Sequence, residues 1–151
     1  VVDVQRRAEP LDVAFDAEMQ ERVRRHQAER GPGWAAFEVP LALPEALAEH
    51  GRPDRIVLVD CLTLWVSNLL LELEDPAAVE GRIAALVRAV EACRGPVILV
   101  SNEVGFGVVP ESRLGRQFRD LAGIANQSVA ACAQEVILTV AGIPVVIKAC
   151  A

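Results

Sequence analysis

The sequence predicts an α/β protein with a mainly parallel β-sheet flanked by helices. Two short apolar runs, Ile56–Asp60 and Val97–Val100, lead directly into polar residues, as strands of a buried parallel sheet do. Three longer segments with helical periodicity alternate with these runs, namely Leu62–Leu73, Ala77–Cys93 and Glu111–Ala133. Strands that alternate with helices are typical of a parallel sheet with helices on both faces.

The amino-terminal part is predicted to contain the end of a strand and one helix. The strand covers Val1–Val4, and the helix covers Phe15–Arg30, where Gly31-Pro32-Gly33 ends it. The helix has an apolar face with members at i, i+4, i+8 and i+11, which are Phe15, Met19, Val23 and His26. His50 falls in an expected turn and is interpreted as a solvated surface residue.

The carboxyl-terminal part is predicted to contain a long helix and a β-hairpin. Pro110 and Glu111 open the helix. The hairpin pairs Val136–Val140 with Val145–Ile147 across an Ala-Gly-Ile-Pro turn. The expected core residues of the helix are Leu114, Phe118, Leu121, Ala125, Val129 and Cys132.

Length and composition exclude several classes of protein. The 151 residues fit one domain, residues 1–151, with no internal linker. The formal charge of −6 argues against general nucleic-acid binding. No apolar run reaches the roughly 18 residues that indicate a membrane span. The four cysteines show no CxxC spacing, so we expect a reduced, cytoplasmic protein.

The block Ser101–Gln127 carries the strongest functional pattern. Ser101, Asn102 and Glu103 directly follow an apolar strand, and a loop with two glycines comes next. Ligands bind at the carboxyl ends of strands in open α/β sheets, so this block predicts one wall of a ligand site. Arg116 and Arg119 lie on the helix that follows and suit phosphate oxygens.

This block also resembles a known enzyme family. The family is that of the bifunctional adenosylcobinamide kinase/adenosylcobinamide-phosphate guanylyltransferases of cobalamin biosynthesis, and the similarity extends over about residues 8–148. The matching positions are Asn102-Glu103-Val104-Gly105, Gly107, Val109-Pro110-Glu111, Arg116, Phe118-Arg119-Asp120, Gly123 and Asn126-Gln127. A second match, nearer the amino terminus, consists of Asp16, Glu18-Met19, Arg22-Val23, His26, Arg30, Trp34 and Glu38. The resemblance implies a P-loop NTPase fold of the RecA-like type.

His26 has two interpretations. An imidazole can attack the α-phosphorus of GTP to form a phosphoramidate, which could pass GMP to a phosphate-bearing acceptor. Periodicity alone also fits a histidine on the apolar side of a helix, satisfied by one hydrogen bond. The resemblance implies that His26 is the guanylylated residue. It also implies that the guanine nucleotide is contacted by Gln27, Ala28, Glu29, Arg30 and Glu38.

Asp60 ends an apolar strand, where a Walker B carboxylate holds Mg²⁺ beside nucleotide phosphates. An aspartate at that point can equally cap the following helix. The resemblance favours the nucleotide role.

Four further residues have both a functional and a structural interpretation. Asn102 and Glu103 could orient a corrinoid side-chain hydroxyl or a metal-bound water, or simply make the loop polar and cap a helix. Arg116 and Arg119 could clamp phosphates, whereas Arg116 and Asp120 could form an ordinary i, i+4 ion pair. The resemblance favours the functional interpretation of all four.

The family's kinase step requires a phosphate-binding loop of the G-x-x-x-x-G-K-[ST] type. No such run occurs in these residues, and Lys148 is the only lysine. We expect an amino-terminal truncation that removes the first strand, this loop and the first helix. Phosphoryl transfer by the chain as given is therefore in doubt.

The predicted function is nucleotide loop assembly in cobalamin biosynthesis. ATP or GTP would phosphorylate adenosylcobinamide, and GTP would then guanylylate His26, which passes GMP to adenosylcobinamide phosphate. Mg²⁺ is the expected cofactor, and the protein is expected to form homo-oligomers. The rival hypotheses are a non-catalytic nucleotide- or corrinoid-binding remnant and an unrelated P-loop ATPase domain.

Overall fold

A computed structural model describes residues 2–3 and 34–150 of the chain. The helix predicted over Phe15–Arg30 lies outside these residues, as do His26, Gln27, Ala28, Glu29 and Arg30.

Four short strands form a parallel sheet among the described residues. They are β1 (Val2–Asp3), β2 (Phe37–Glu38), β3 (Val57–Asp60) and β4 (Val97–Val100), in the order β2-β1-β3-β4. All three pairings are parallel, as the sequence predicted. β2 was missed because two residues carry no periodic pattern.

Four helices accompany the sheet in the described part of the chain. They are α1 (Leu43–His50), α2 (Leu62–Leu73), α3 (Pro76–Ala92) and α4 (Arg113–Cys132). The bounds of α2 are those that the sequence predicted, and those of α3 differ by one residue at each end.

Local hydrogen bonding fixes where α3 and α4 begin. The Asp75 carboxylate accepts from the Ala77 N–H at 3.0 Å, which caps α3 and leaves Pro76 at its first position. The Ser112 hydroxyl accepts from the Gly115 N–H at 3.1 Å and caps α4. The predicted start of α4 at Glu111 was therefore wrong by two residues.

The core face of α4 was predicted correctly only in part. Leu121, Ala125 and Val129 are buried, whereas Phe118 and Cys132 are half-buried. The side chain of Leu114 is 50% exposed, because it lies in the first turn, ahead of the buried part of the helix.

α1 was not predicted, and its last residue corrects the interpretation of His50. The imidazole stacks on the ring of Phe37 with 4.2 Å between centroids. His50 is half-buried, so it is not a solvated turn residue. This stack links the end of α1 to strand β2.

The predicted carboxyl-terminal hairpin is confirmed, with a tighter turn. β5 (Val136–Val140) pairs antiparallel with β6 (Ile143–Lys148). Ala141 and Gly142 form a two-residue loop with φ of 51° and 77°, which matches the twist of paired strands. The Ile143-Pro144 pair, assigned to the turn by sequence, begins β6 instead.

Lys148 attaches the hairpin to helix α4. Its ammonium group donates to the carbonyls of Ala130 at 3.1 Å and Ala131 at 2.9 Å. The last carbonyls of a helix lack partners within the helix and carry partial negative charge, so a cation there is favourable.

The hydrophobic core lies on one face of the sheet and among the helices. Val57 and Val59 of β3 are buried in it, with Trp65, Leu86 and Leu121 from α2, α3 and α4. No helix in the described part of the chain is long and apolar enough to cross a membrane.

Candidate functional site

The carboxyl edge of the sheet collects the acidic strand ends. In the strand register Asp3 pairs with Glu38 on one side and with Asp60 on the other, so the three residues share one row. Strands in a sheet lie about 4.8 Å apart, which places Glu38 and Asp60 roughly 10 Å from each other. Two predicted nucleotide-binding residues thus lie at the same edge.

Asp60 continues directly into helix α2. The residue is half-buried, and its peptide bond to Cys61 is cis. Cys61 is the residue that precedes the helix, and no side chain caps the helix there. Asp60 is therefore not the N-cap residue of α2, and its nucleotide role stays a prediction.

Thr63 connects the end of β3 to the end of β4. Its hydroxyl oxygen accepts from the backbone N–H of Asn102 at 2.8 Å and from the Asn102 side-chain amide at 3.2 Å. The same oxygen lies 3.4 Å from the hydroxyl oxygen of Ser101. The side-chain amide of Asn102 also lies 3.9 Å from the sulfur of Cys61. These contacts fix Asn102 against the first turn of α2.

Asn126 on helix α4 completes the arrangement. The Ser101 hydroxyl donates to Asn126 Oδ1 at 2.6 Å. The Asn126 amide donates to the carbonyl of Asn102 at 3.3 Å and to Glu103 Oε2 at 3.4 Å. Asn102 and Glu103, both predicted from sequence, are therefore held by residues from two helices, α2 and α4.

Glu103 also shapes the glycine loop. Its Oε1 accepts from the backbone N–H of Gly105 at 2.7 Å. A Cβ at position 105 would lie 2.6 Å from that oxygen, so glycine permits this close approach. Beyond it, Phe106 and Val108 expose 83% and 95% of their surface beside the polar cluster.

The two predicted phosphate-binding arginines contact the same loop. Arg119 donates to the carbonyl of Gly105 at 2.7 Å, and Arg116 donates to the carbonyls of Pro110 and Glu111 at 3.2 Å and 2.5 Å. Within residues 34–150 the alternative ion pair between Arg116 and Asp120 does not form. A guanidinium has five N–H donors, so each arginine retains donors for a ligand.

The oxygen groups at this edge fit Mg²⁺. The ion is commonly bound by one or two carboxylates together with substrate phosphates and water, so a dedicated protein cage is not needed. Asp60 supplies one carboxylate at the strand end. The described residues contain no group of three or more histidine, cysteine, aspartate or glutamate side chains that could enclose a metal.

Fold and strand ends together define a parallel α/β protein with a candidate ligand site at the carboxyl edge of its sheet. Sequence comparison identifies the family within this class of protein. The chain belongs to the CobU family, described as cobinamide kinase / cobinamide phosphate guanyltransferase, whose family model matches residues 11–147.

Three curated relatives support the family assignment. The bifunctional adenosylcobalamin biosynthesis protein CobP of Pseudomonas aeruginosa is 44% identical over 135 residues, which cover 89% of this chain and 78% of the relative. The bifunctional adenosylcobalamin biosynthesis proteins CobU of Escherichia coli and Salmonella typhimurium are each 41% identical over 146 residues, covering 89% of this chain and 81% of the relative. The chain thus belongs to a family of bifunctional enzymes whose named relatives act in cobalamin biosynthesis.

Sequence reasoning placed Asn102, Glu103 and Asp60 at the carboxyl ends of strands, where the structure has them, but assigned no role to Thr63, Ser101 or Asn126 in holding Asn102 and Glu103. One signal was available for Thr63. It is a polar residue in a helix whose first four residues are otherwise Leu, Leu and Trp. Its partners Ser101 and Asn102, which follow β4, could not be inferred without the fold.

Proposed function

We propose that the protein is a guanylyltransferase of cobalamin biosynthesis that moves GMP from GTP to adenosylcobinamide phosphate. We extend the proposal to phosphorylation of adenosylcobinamide by the protein expressed from its complete gene. The observation that carries the proposal is the family match over residues 11–147, which includes His26, Glu38, Asp60 and the block that begins at Asn102. The all-parallel strand order further supports a P-loop NTPase fold of the RecA-like type.

The guanylyl transfer proceeds in two displacements. A ring nitrogen of His26 attacks the α-phosphorus of GTP, a P–N bond forms, and the bond to the β-phosphate oxygen breaks to release pyrophosphate. A phosphate oxygen of adenosylcobinamide phosphate then attacks the same phosphorus. The P–N bond breaks, which yields adenosylcobinamide-GDP and free His26.

The phosphorylation step uses the carboxyl edge of the sheet. The hydroxyl of the corrinoid side chain attacks the γ-phosphorus of ATP or GTP, and the bond from that phosphorus to the β-phosphate oxygen breaks. The nucleoside diphosphate leaves, and the hydroxyl proton passes to solvent. Asn102 and Glu103 orient the hydroxyl, while Arg116 and Arg119 bind phosphate oxygens with the N–H groups that the loop carbonyls leave available.

Nucleotide binding completes the proposal. Glu38, together with Gln27, Ala28, Glu29 and Arg30, contacts the guanine nucleotide. Asp60 would hold Mg²⁺, which supplies charge neutralisation at the phosphates when it is bound.

Two further properties belong to the proposal. All four cysteines are free, which supports a location in the reducing cytoplasm. We also propose that the protein forms homo-oligomers, because β6 exposes apolar residues such as Ile143 at 66% and Ile147 at 62%. Light scattering coupled to size exclusion measures the oligomer directly.

The test of the transferase proposal is covalent labelling by GTP that carries a label on the α-phosphate. We expect a protein-bound label that acid removes and base does not, because a phosphoramidate has that stability. His26→Ala abolishes the label. His50→Ala is the matched control, since His50 is the other histidine of the chain and stacks on Phe37.

The outcomes separate the proposal from its rival. Guanosine nucleotide binding without a label would contradict the transferase and favour the binding-only remnant. Equal labelling of the wild type and His26→Ala would also contradict the assignment of His26.

A further inference from the structure

Thr63 is a buried hydroxyl at a place where the proposed function assigns no chemistry. The residue is 8% exposed and lies in the first turn of α2, next to the strand end that carries Asp60. It is one of two buried polar residues in the described part of the chain. Its hydroxyl contacts Ser101 and Asn102, which both follow β4.

The donor and acceptor positions of Thr63 indicate the direction of the hydrogen bonds around it. A hydroxyl has one donor and two acceptor positions. Thr63 Oγ1 accepts two N–H groups of Asn102, which fills both acceptor positions. The single proton of Ser101 goes to Asn126 Oδ1 at 2.6 Å, which leaves the Thr63 proton for the Ser101 oxygen 3.4 Å away.

The chain of hydrogen bonds continues from Asn126 to Glu103. The two protons of the Asn126 amide go to the Asn102 carbonyl and to Glu103 Oε2. Glu103 Oε1 is bound in turn by the Gly105 N–H. Thr63 thus lies at the buried end of a chain of hydrogen bonds that runs through Ser101 and Asn126 and ends at the Glu103 carboxylate.

The outer members of this series are solvent-exposed. Ser101, Asn102 and Glu103 are all exposed, and Asn126 is half-buried. Water can replace hydrogen bonds made by exposed groups at little net cost in free energy of unfolding. The series therefore contributes mainly to the orientation of Asn102 and Glu103.

We propose that Thr63 is a positioning residue for phosphorylation of the corrinoid hydroxyl. It holds Asn102 directly and Glu103 through Ser101 and Asn126. This inference rests on the proposed function, because the reaction that it serves is the kinase step assigned there. It adds that the residues following β3 and those following β4 are joined through one hydroxyl.

The test compares variants of the protein expressed from its complete gene. Thr63→Val keeps the shape and removes the hydroxyl, whereas Thr63→Ser keeps the hydroxyl. Thr139→Val is the matched control, because Thr139 is exposed on β5. Steady-state kinetics of adenosylcobinamide phosphorylation give kcat and the KM for the nucleotide.

We expect Thr63→Val to lower kcat by about 100-fold, since a misplacement of about 1 Å in reacting groups has that effect. The KM for the nucleotide should stay within about twofold of the wild type, because Thr63 contacts the groups that orient the acceptor. Thr63→Ser should restore most of kcat, and Thr139→Val should match the wild type. A merely structural role would lower the melting temperature and leave kcat of the folded protein unchanged.

A second measurement does not depend on activity. The Asn102 backbone N–H donates to Thr63, so its hydrogen exchange should accelerate in Thr63→Val by up to about tenfold, the value of one hydrogen bond. Thr63→Ser and Thr139→Val should leave it unchanged. If Thr63→Val does not fold, Ser101→Ala breaks the middle of the series from an exposed position and should lower kcat by about tenfold.

Each outcome decides the inference. A kcat for Thr63→Val within twofold of the wild type, or unchanged Asn102 exchange in that variant, would overturn it. If Ser101→Ala is the variant used, a kcat within twofold of the wild type would overturn it. Failure of the proposed function gives a distinguishable result, because the wild-type protein itself would then transfer no phosphoryl group. In that case faster exchange in Thr63→Val alone would support the role of Thr63 in holding Asn102.

Discussion

Replacement of Trp65 by phenylalanine tests how the core holds α2 against the segment before α1. Trp65 is fully buried, and its indole N–H donates to the carbonyl of Leu41 at 3.0 Å. Phenylalanine keeps an aromatic ring in the same place but loses the donor and part of the volume. The Arg82 guanidinium also donates to the Leu41 carbonyl, at 3.3 Å, so that oxygen keeps one partner in the variant.

Two contributions set the expected loss of stability. One hydrogen bond contributes about 1 kcal/mol, and the full penalty of an unpaired carbonyl does not apply here. The smaller ring leaves a void that costs about 1 kcal/mol more, by comparison with other small reductions of core volume. Trp65→Phe should therefore lower the free energy of unfolding by about 2 kcal/mol, or the melting temperature by about 4–8 °C.

The assay is urea unfolding followed by far-ultraviolet circular dichroism, since removal of one of the two tryptophans changes the fluorescence itself. The midpoint should fall with an unchanged slope. Trp34→Phe is the matched control, because Trp34 is 50% exposed and should change stability by less than about 0.5 kcal/mol. Equal midpoints for the two variants would refute the reasoning.

Three further predictions concern stability. The Arg82 guanidinium donates to both Glu45 oxygens and lowers the pKa of that carboxyl, so Glu45→Gln should cost about 0.2–1 kcal/mol, a small value because Glu45 is exposed. A lowered pKa in the folded state gives stability above the ordinary glutamate pKa, and this stability is lost as pH falls through the lowered value. The difference between Glu45→Gln and the wild type in urea unfolding should hence be present at pH 7 and shrink as the pH falls below the ordinary glutamate pKa; a constant difference would contradict it. Gly95→Ala should destabilise by about 1–3 kcal/mol, because a Cβ there would overlap the carbonyl oxygen of Arg52. Gly81→Ala should stabilise by about 0.5–1 kcal/mol, because the site lies inside α3 with open space around it. Urea unfolding should give changes in the free energy of unfolding of opposite sign for the two glycine variants, and changes of the same sign would contradict this reasoning.

Elements with strong local patterns were predictable from the sequence. The apolar run Val97–Val100 and the segment Leu62–Leu73 have the predicted bounds because each is determined by residues within it. The hairpin was predictable for the same reason. Its turn was misplaced, because Ala141 adopts a positive φ that favours glycine, and the sequence gives no sign of this.

Short elements and long-range contacts were not predictable. β2 consists of two residues, and α1 of eight residues with a proline in its first turn, so neither shows a full period. Thr63 and its partners Ser101 and Asn102 lie 38 and 39 residues apart in the chain. Only the parallel pairing of β3 with β4 brings their ends together.

The hydrogen-bond partners of Arg116 at the site were not predictable from the sequence either. The spacing of Arg116 and Asp120 on a helix fits an ion pair as well as a phosphate site. The structure directs Arg116 to the carbonyls of Pro110 and Glu111 instead, and this depends on how the loop folds back onto α4.

The most direct test of the proposed function is formation of its product. The protein expressed from its complete gene is incubated with GTP and adenosylcobinamide phosphate, and mass spectrometry identifies the corrinoid. We expect the corrinoid to gain one GMP group, with release of pyrophosphate in equal amount, and we expect no product with His26→Ala. An unchanged corrinoid in the presence of the wild type, or equal product from His26→Ala, would contradict the proposal.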